Sequence, residues 1–327
     1  MSQILDLHNH GKTLLIYNPR AGRSVKRPPL AEIVARLQPT FGELVVQTTA
    51  RPGHAAELAR QSGRDYDTVI CCGGDGTLSE VINGLLAADA HPKIGYIPMG
   101  STNDLAKNIG LPTSLDRVTE VLSHGRTVQY DVGRFNDRYF TYFASFGPGV
   151  SVSYSTPQRM KNMLGYSAYM INGFVLGVVP ALREVKPKHI RVEYDGKVLE
   201  DDFYFGAVSN AYSAAGIIKY NEDDVCFNDG KFEVMLVRRL HHPAQLFSML
   251  HKIRRRDYDG ETLLYLHASR LRFTFSSPVK WTLDGECSGD VQDVSIEVLP
   301  GAVRLCSEGN RGFRVNSAQQ DPAQAQR

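Results

Sequence analysis

The sequence predicts two parts: a doubly wound α/β domain first and an antiparallel β-sandwich domain after it. Three observations carry this. Up to about Gln129, short apolar runs alternate with helical periodicities, the pattern of a parallel sheet covered on both faces. Two of those runs, one from Thr68 that stops at Gly73-Gly74 and one at Ile94–Pro98, end in loops of glycine, hydroxyl and acid, roughly the length of one βαβ unit apart. After Gln129 the runs follow one another through turn signals such as Asn136-Asp137 and Asp195-Gly196, as antiparallel strands do.

The first of the two loops is Gly73-Gly74-Asp75-Gly76-Thr77, followed by a helical face of Leu78, Val81, Ile82, Leu85 and Leu86. A strand that turns through glycines into a helix leaves bare backbone N–H groups at the helix's positive end, which suits an anion. Asp75 is the odd part, because a carboxylate beside phosphates repels them unless a cation lies between. Thr77 and Glu80 also have the spacing of a capping box, and Asp75 could serve as a helix cap. The second loop, Met99-Gly100-Ser101-Thr102-Asn103-Asp104, repeats the chemistry. In an open parallel sheet both loops lie at the carboxyl edge, where ligands bind. The pair implies a nucleotide phosphate tail held with a divalent cation, oriented by Asp75 and Asp104.

Bulk properties narrow the partners. With 327 residues, 42% hydrophobic and 22% charged, the chain can bury a substantial core. A net charge of +2 argues against a general nucleic-acid binder. Five cysteines, at 71, 72, 226, 287 and 306, lack metal-ligand spacing and read as reduced thiols of a cytoplasmic chain. The first residues, Met1 to Lys12, carry no secretion pattern. Between Lys161 and Arg183 no residue is charged, long enough for a membrane span. Gly165, Ser167, Asn172, Gly173, Gly177 and Pro180 interrupt it, so a buried or lipid-facing helix is expected over 158–182.

Taken in order, Thr13 to Tyr17 is the first strand, and Asn18-Pro19-Arg20-Ala21-Gly22-Arg23 turns with two cations at the ligand edge. Pro28 and Pro29 open a helix to about Leu37. Leu44 to Thr48 is the second strand, with Thr49 at its end; His54 to Gln61 and Leu115 to Ser123 are helices. In the second half, strands are expected at 131–134, 138–146, 189–194, 197–202, 203–209, 231–238, 262–266, 271–275, 279–283 and 294–299, with a helix over 244–255. Lys252, Arg254, Arg255 and Arg256 form a basic cluster beside His251, either a solvated face or a contact for an anionic membrane. Asp284-Gly285-Glu286 has the form of a hairpin turn. Asn316 to Arg327 lacks an apolar pattern and is expected to be disordered.

Together these stretches resemble the diacylglycerol kinase catalytic family, in the bacterial soluble branch related to sphingosine and ceramide kinases. The matching residues are Asn18-Pro19 with Gly22, Gly73 to Thr77, Pro98 to Asp104, and Asp284-Gly285-Glu286. The resemblance implies an N-terminal domain like that of NAD kinase and phosphofructokinase, over residues 1–129 plus about 303–327. It implies a lipid-binding sandwich over 130–302, with the nucleotide in the cleft between. ATP would be bound by Asn18, Arg23, Thr49, the turn Gly73, Gly74, Asp75, Gly76, Thr77, Leu78, Ser79 and Glu80, and the loop Ser101, Thr102, Asn103 and Asp104. Ser101 stands where the family usually has threonine, and the hydroxyl is kept.

The resemblance also implies a structural Mg²⁺ in the sandwich, held by the Asp229 carboxylate and the carbonyls of Cys226 and Lys231. Lys161 matches a cation near the cleft. The implied reaction is phosphoryl transfer from ATP, with Mg²⁺, to a lipid hydroxyl, diacylglycerol first, at the inner membrane surface. Ceramide, sphingoid and phosphatidylglycerol acceptors stay open, as does a homodimer. An NAD kinase and a silent lipid-binding protein are the rival readings. The resemblance implicates the Asp284-Gly285-Glu286 turn as a whole in the catalysis, and the sequence does not decide which acid is the base. Glu286 is preferred as proton acceptor, with Asp284 positioning the hydroxyl or the turn, because Asp284 heads the turn and is available to backbone N–H groups.

Overall fold

The computed structural model describes residues 11–22, 28–147, 186–214, 218–258, 260–309 and 311–314. Arg23, the segment 158–182 with Lys161, and the tail 316–327 lie outside the described residues.

The first half is built as its alternating pattern requires. Strands β1 (Lys12–Tyr17), β2 (Glu43–Thr48), β3 (Thr68–Gly73) and β4 (Lys93–Pro98) pair in parallel, in the order β2-β1-β3-β4. Helices α1 (Leu30–Leu37), α2 (His54–Ser62), α3 (Asp75–Ala87), α4 (Asp104–Asn108) and α5 (Leu115–His124) accompany them. β3 is buried along its whole length. Val69 and Cys71 enter one apolar cluster, with Leu78, Val81, Ile82 and Leu85 of α3. Ile70 and Cys72 point the other way, to Ile33, Leu37, Val118 and Leu122 of α1 and α5. A strand buried on both faces is a continuous apolar run, as this one is.

The second half is antiparallel. Its strands are β5 (Arg126–Phe135), β6 (Arg138–Phe140), β7 (Phe143–Phe146), β8 (Lys188–Tyr194), β9 (Lys197–Ser209), β10 (Ser213–Ala214), β11 (Ile218–Lys219), β12 (Phe232–Arg238), β13 (Leu263–Ala268), β14 (Arg270–Leu283) and β15 (Glu286–Ser307). One further helix, α6 (Pro243–Arg255), precedes β13. Trp281 anchors the core of this half, its ring 5.0–5.3 Å from those of Phe135, Phe146 and Phe273.

The two halves share one hydrogen-bonded sheet, because β15 belongs to both. It pairs with β14 over 286–297, then runs on to pair in parallel with β4 at Arg304 and Leu305. β5 pairs with its other edge over 296–299 and 303–307.

Several expectations need correcting. The strand expected over 138–146 is two, β6 and β7. Thr141 and Tyr142 leave the ladder because their N–H groups turn to the carboxylate of Asp284. The stretches 271–275 and 279–283 are one strand, with a register shift between Thr274 and Val279 that accommodates Pro278. The stretch 294–299 is the middle of the 22-residue β15. Pro29 is the N-cap of α1 rather than its first residue. The capping box at Thr77 and Glu80 does not form: α3 starts at Asp75 after Gly74, without a side-chain cap.

Candidate active site

Three loops meet at the carboxyl edge of the parallel sheet, after β1, β3 and β4, and glycines let them touch. Gly22 has φ +59°, and a Cβ there would fall 2.0 Å from the carbonyl oxygen of Met99. A Cβ on Gly100 would fall 2.7 Å from the Cα of Gly74. Backbone on backbone at that range excludes any other residue. Asn18 ties the first loop to the second by donating from Nδ2 to Thr77 Oγ1, at 2.8 Å. Asn103, in the left-handed region at φ +50°, closes the third loop through both ends of its amide on Gly100. Thr49 ends β2 beside them, its N–H on the carbonyl of Tyr17.

Asp75 does not cap its own helix. Its carboxylate accepts the N–H groups of Asp104, at 2.9 Å, and Leu105, at 3.2 Å, at the start of α4. This brings Asp75 and Asp104 together at the ends of neighbouring strands. Burial pushes the Asp75 carboxyl up to about 6; the nearby charges of Asp104 and Asp284 add to this, and the two N–H groups oppose it. Asp104 is also raised, by burial, with Lys107 at 3.6 Å working against it. Two desolvated acids this close favour a cation between or beside them. Glu80, expected at the nucleotide, instead spends its carboxylate on the N–H groups of Gly53 and Ala55 in the first turn of α2.

The Asp284-Gly285 turn comes from the other half and faces α3. Both residues have positive φ, +49° and +89°, as a two-residue hairpin loop demands. The tight turn separates the two acids. Asp284 is buried, and its carboxylate takes five hydrogen bonds: from the N–H of Thr141, Tyr142 and Phe143, the Thr141 hydroxyl, and Ser79 Oγ of α3. Burial holds its proton affinity above the ordinary carboxylate range, and these five donors oppose that. Glu286 is exposed, with Oε1 3.4 Å from where a side chain on Gly76 would begin. Its carboxyl is raised by burial and by Glu80, with Arg138 opposing. One acid is thus occupied, and the other stands free over the N-terminal turn of α3.

The other expected metal residues lie apart, before β12. Asp229 accepts the N–H of Lys231 at 3.0 Å and the guanidinium of Arg314 at 3.4 Å, and Cys226 Sγ contacts the Asn228 side chain. Two further acids, Asp131 and Glu233, are buried close enough to repel it electrostatically. Asn210 Oδ1 and Glu233 Oε2 are buried without a hydrogen-bond partner. Among the described residues no three His, Cys, Asp or Glu side chains converge on a metal position.

Comparison with known proteins decides the family. Residues 12–135 match the diacylglycerol kinase catalytic domain, and residues 157–307 match the YegS C-terminal NAD kinase beta sandwich-like domain. A diacylglycerol kinase of Bacillus subtilis is 30% identical over 277 residues, 84% of this chain and 89% of that one. The chain belongs to the diacylglycerol kinase family. A Staphylococcus haemolyticus diacylglycerol kinase is 32% identical over 276 residues, 84% of this chain and 82% of its own. A crystal structure of a diacylglycerol kinase from Bacillus anthracis superposes with a TM-score of 0.68 at 19% identity, over 92% of this chain and 98% of that one. The fold is therefore that of the bacterial diacylglycerol kinases, and the protein is a lipid kinase that uses ATP. This sets aside the NAD kinase reading. Among the described residues, no helix is long and apolar enough to cross a membrane.

The sequence reading did not single out Asn83, Tyr139 or Thr141, which join α3 to the second half. The available signal was Asn83 itself, a poor helix former in the middle of a helix.

Proposed function

We propose that this kinase transfers the γ-phosphoryl group of ATP to the free hydroxyl of diacylglycerol, yielding phosphatidic acid and ADP. The relatives named for that substrate support the acceptor. The observation that carries the chemistry is the contrast within the hairpin turn. Asp284 is saturated with donors, while Glu286 is free and overlooks the glycine turn of α3. Residues 1–129 with 303–327 hold the nucleotide, and 130–302 hold the lipid.

In this reading the N–H groups of the 73–77 turn and the 99–104 loop receive the phosphate tail, with Asn18 and Thr49 around it. Asp75 and Asp104 hold Mg²⁺, whose charge offsets that of the phosphates when bound. The lipid hydroxyl oxygen attacks the γ-phosphorus, the bond to the β,γ-bridging oxygen breaks, and Glu286 takes the hydroxyl proton. Phosphoryl transfer depends mainly on positioning and charge, so a single carboxylate suffices as base. Asp284 braces the turn. A second Mg²⁺ in the sandwich, on Asp229 and the carbonyls of Cys226 and Lys231, fits the surplus of buried acid there and the orphaned acceptors Glu233 Oε2 and Asn210 Oδ1. Oxygen donors of this kind suit a hard cation. The exposed Arg254, Arg255 and Arg256 at the end of α6 dock the enzyme on an anionic bilayer, where the acceptor resides.

The test is radiolabelled ATP turnover with mixed micelles of diacylglycerol, ceramide, sphingosine or phosphatidylglycerol. Preferred labelling of diacylglycerol is expected. A tenfold preference for any other acceptor would overturn the assignment of substrate while leaving the kinase chemistry in place.

A further inference from the structure

Helix α3 has two faces with different tasks. Leu78, Val81, Ile82 and Leu85 bind it to its own half. The other face carries Gly76, Ser79 and Asn83, three and seven residues apart and therefore on one side of the helix. Every one of these faces the second half of the chain. Gly76 lies under Glu286, and Ser79 Oγ donates to Asp284 at 3.0 Å. Asn83 makes a reciprocal pair with the backbone of Tyr139 in β6: Nδ2 donates to its carbonyl at 3.1 Å, and Oδ1 accepts its N–H at 3.1 Å.

The Asn83 amide is fixed in orientation as well as place, because Nδ2 also donates to the carbonyl of Ser79 at 2.9 Å. A pair of this kind imitates a step of β-ladder. It sets a register between helix and strand, which apolar contact alone would leave loose. What it registers leads directly to the acid-bearing turn. Two residues past Tyr139, the N–H groups of Thr141, Tyr142 and Phe143 wrap the Asp284 carboxylate, and the N–H of Asp284 returns to the carbonyl of Phe143 at 2.8 Å. Glu286 follows two residues later.

We propose that Asn83 is a positioning residue: its two-way pair with Tyr139 holds the 139–143 segment, and through Asp284 the Glu286 carboxylate, at a fixed distance from the glycine turn of α3. This rests on the reading of Glu286 as the base. Asn83 lies about two helical turns beyond Gly76 along α3. It acts by keeping the acid of one half in register with the phosphate loop of the other. A displacement of about 1 Å at the reacting atoms costs up to about a hundredfold in rate, so the effect falls on kcat.

The experiment uses the full-length enzyme with Asn83→Ala and, as a variant that keeps only the acceptor toward the Tyr139 N–H, Asn83→Asp. For both variants, kcat should fall at least tenfold while KM for ATP stays within twofold. Hydrogen exchange should quicken at residues 284–288, which Asn83 does not touch, and stay unchanged at 73–78. Adding Asn83→Ala to Glu286→Gln should cost less than a further twofold, since the group being positioned is already disabled. An unchanged kcat, a rise confined to KM, or faster exchange limited to residue 139 and its neighbours would each overturn the proposal. So would the same tenfold loss in both backgrounds. If Glu286→Gln retains parental kcat, the base assignment fails instead, and the exchange pattern still decides whether Asn83 governs the turn. Should the Ala variant not fold, Asn83→Asp carries the same measurements.

Discussion

Two aspartates, one from each half of the molecule, show how surroundings divide structural acids from reactive ones. Asp75, at the turn from β3 into α3, receives two backbone N–H groups and lies beside a second raised acid, Asp104. Asp284, at the turn from β14 into β15, receives five donors from four residues. Both are desolvated. Asp75 keeps unspent lone pairs and an elevated proton affinity, which a cation would relieve. Asp284 has none to spare, and the free acid of its turn is Glu286. The lesson is that the supply of donors around a carboxylate, more than its burial, tells what the carboxylate is for.

The comparison breaks most visibly at Asp75. Asp75→Asn should reduce turnover below detection, a loss of at least about a thousandfold, as the proposed role of orienting the metal on the phosphates requires. The fold should persist, read as an unchanged circular dichroism spectrum. Near-parental activity would remove Asp75 from the site.

Next come the two acids of the hairpin. Glu286→Gln should lower kcat by about 10²–10⁴-fold with ATP binding retained, the range for losing a general base. Asp284→Asn should act first on stability, lowering it by about 2–3 kcal/mol, because an amide nitrogen would face donors that had an acceptor. Equilibrium denaturation and kcat measured on the two variants separate these outcomes. A stable Asp284→Asn protein with no kcat would reverse the roles.

A smaller effect sharpens the account of Asp75 in the ligand-free protein. A carboxyl raised to about 6 stabilises the fold below its unfolded value of about 3.9, and that contribution is lost as pH rises through 6. Asp75→Asn lacks this loss. Its stability relative to the parent, read by equilibrium denaturation, should therefore improve from pH 4 to pH 7 by an amount on the order of 2 kcal/mol. A difference that is flat across this window would show that Asp75 is not held at a raised proton affinity. The smallest effect concerns docking. Changing Arg254, Arg255 and Arg256 to Glu should weaken sedimentation with anionic vesicles severalfold at low salt and little at high salt. Salt-independent, unaltered binding would leave the cluster a solvated helix end, where cations also suit the dipole.

Much of this arrangement was legible in the residues. Thr68–Gly73 and Ile94–Pro98 read as buried strands because nothing polar interrupts them, and both loops followed from glycines that no other residue could replace. The tight Asp284-Gly285 turn was legible too, and with it the idea that only one acid stays free. What the sequence hid was long-range. The partners of Asp75 at residues 104 and 105, and of Glu80 at 53 and 55, lie about 25 to 30 residues away, and a local capping pattern masked them. The break between β6 and β7 has no local cause at all, since the group that pulls Thr141 out of the ladder is 143 residues further along. The length of β15 was obscured by Gly289 and Gly301, which local rules read as strand ends.

That long strand has a bearing on how the protein is made. β4 finds its outer neighbour only in residues 304 and 305, and the first part of β5 finds its own in residues 303–307, near the end of the chain. During synthesis from the N-terminus, the parallel sheet therefore emerges with an open edge that nothing yet translated can cover. Such an edge templates pairing with other chains. The order of translation thus makes completion of the parallel sheet one of the last events of folding, and ties it to prior assembly of the antiparallel half through which β15 must first run.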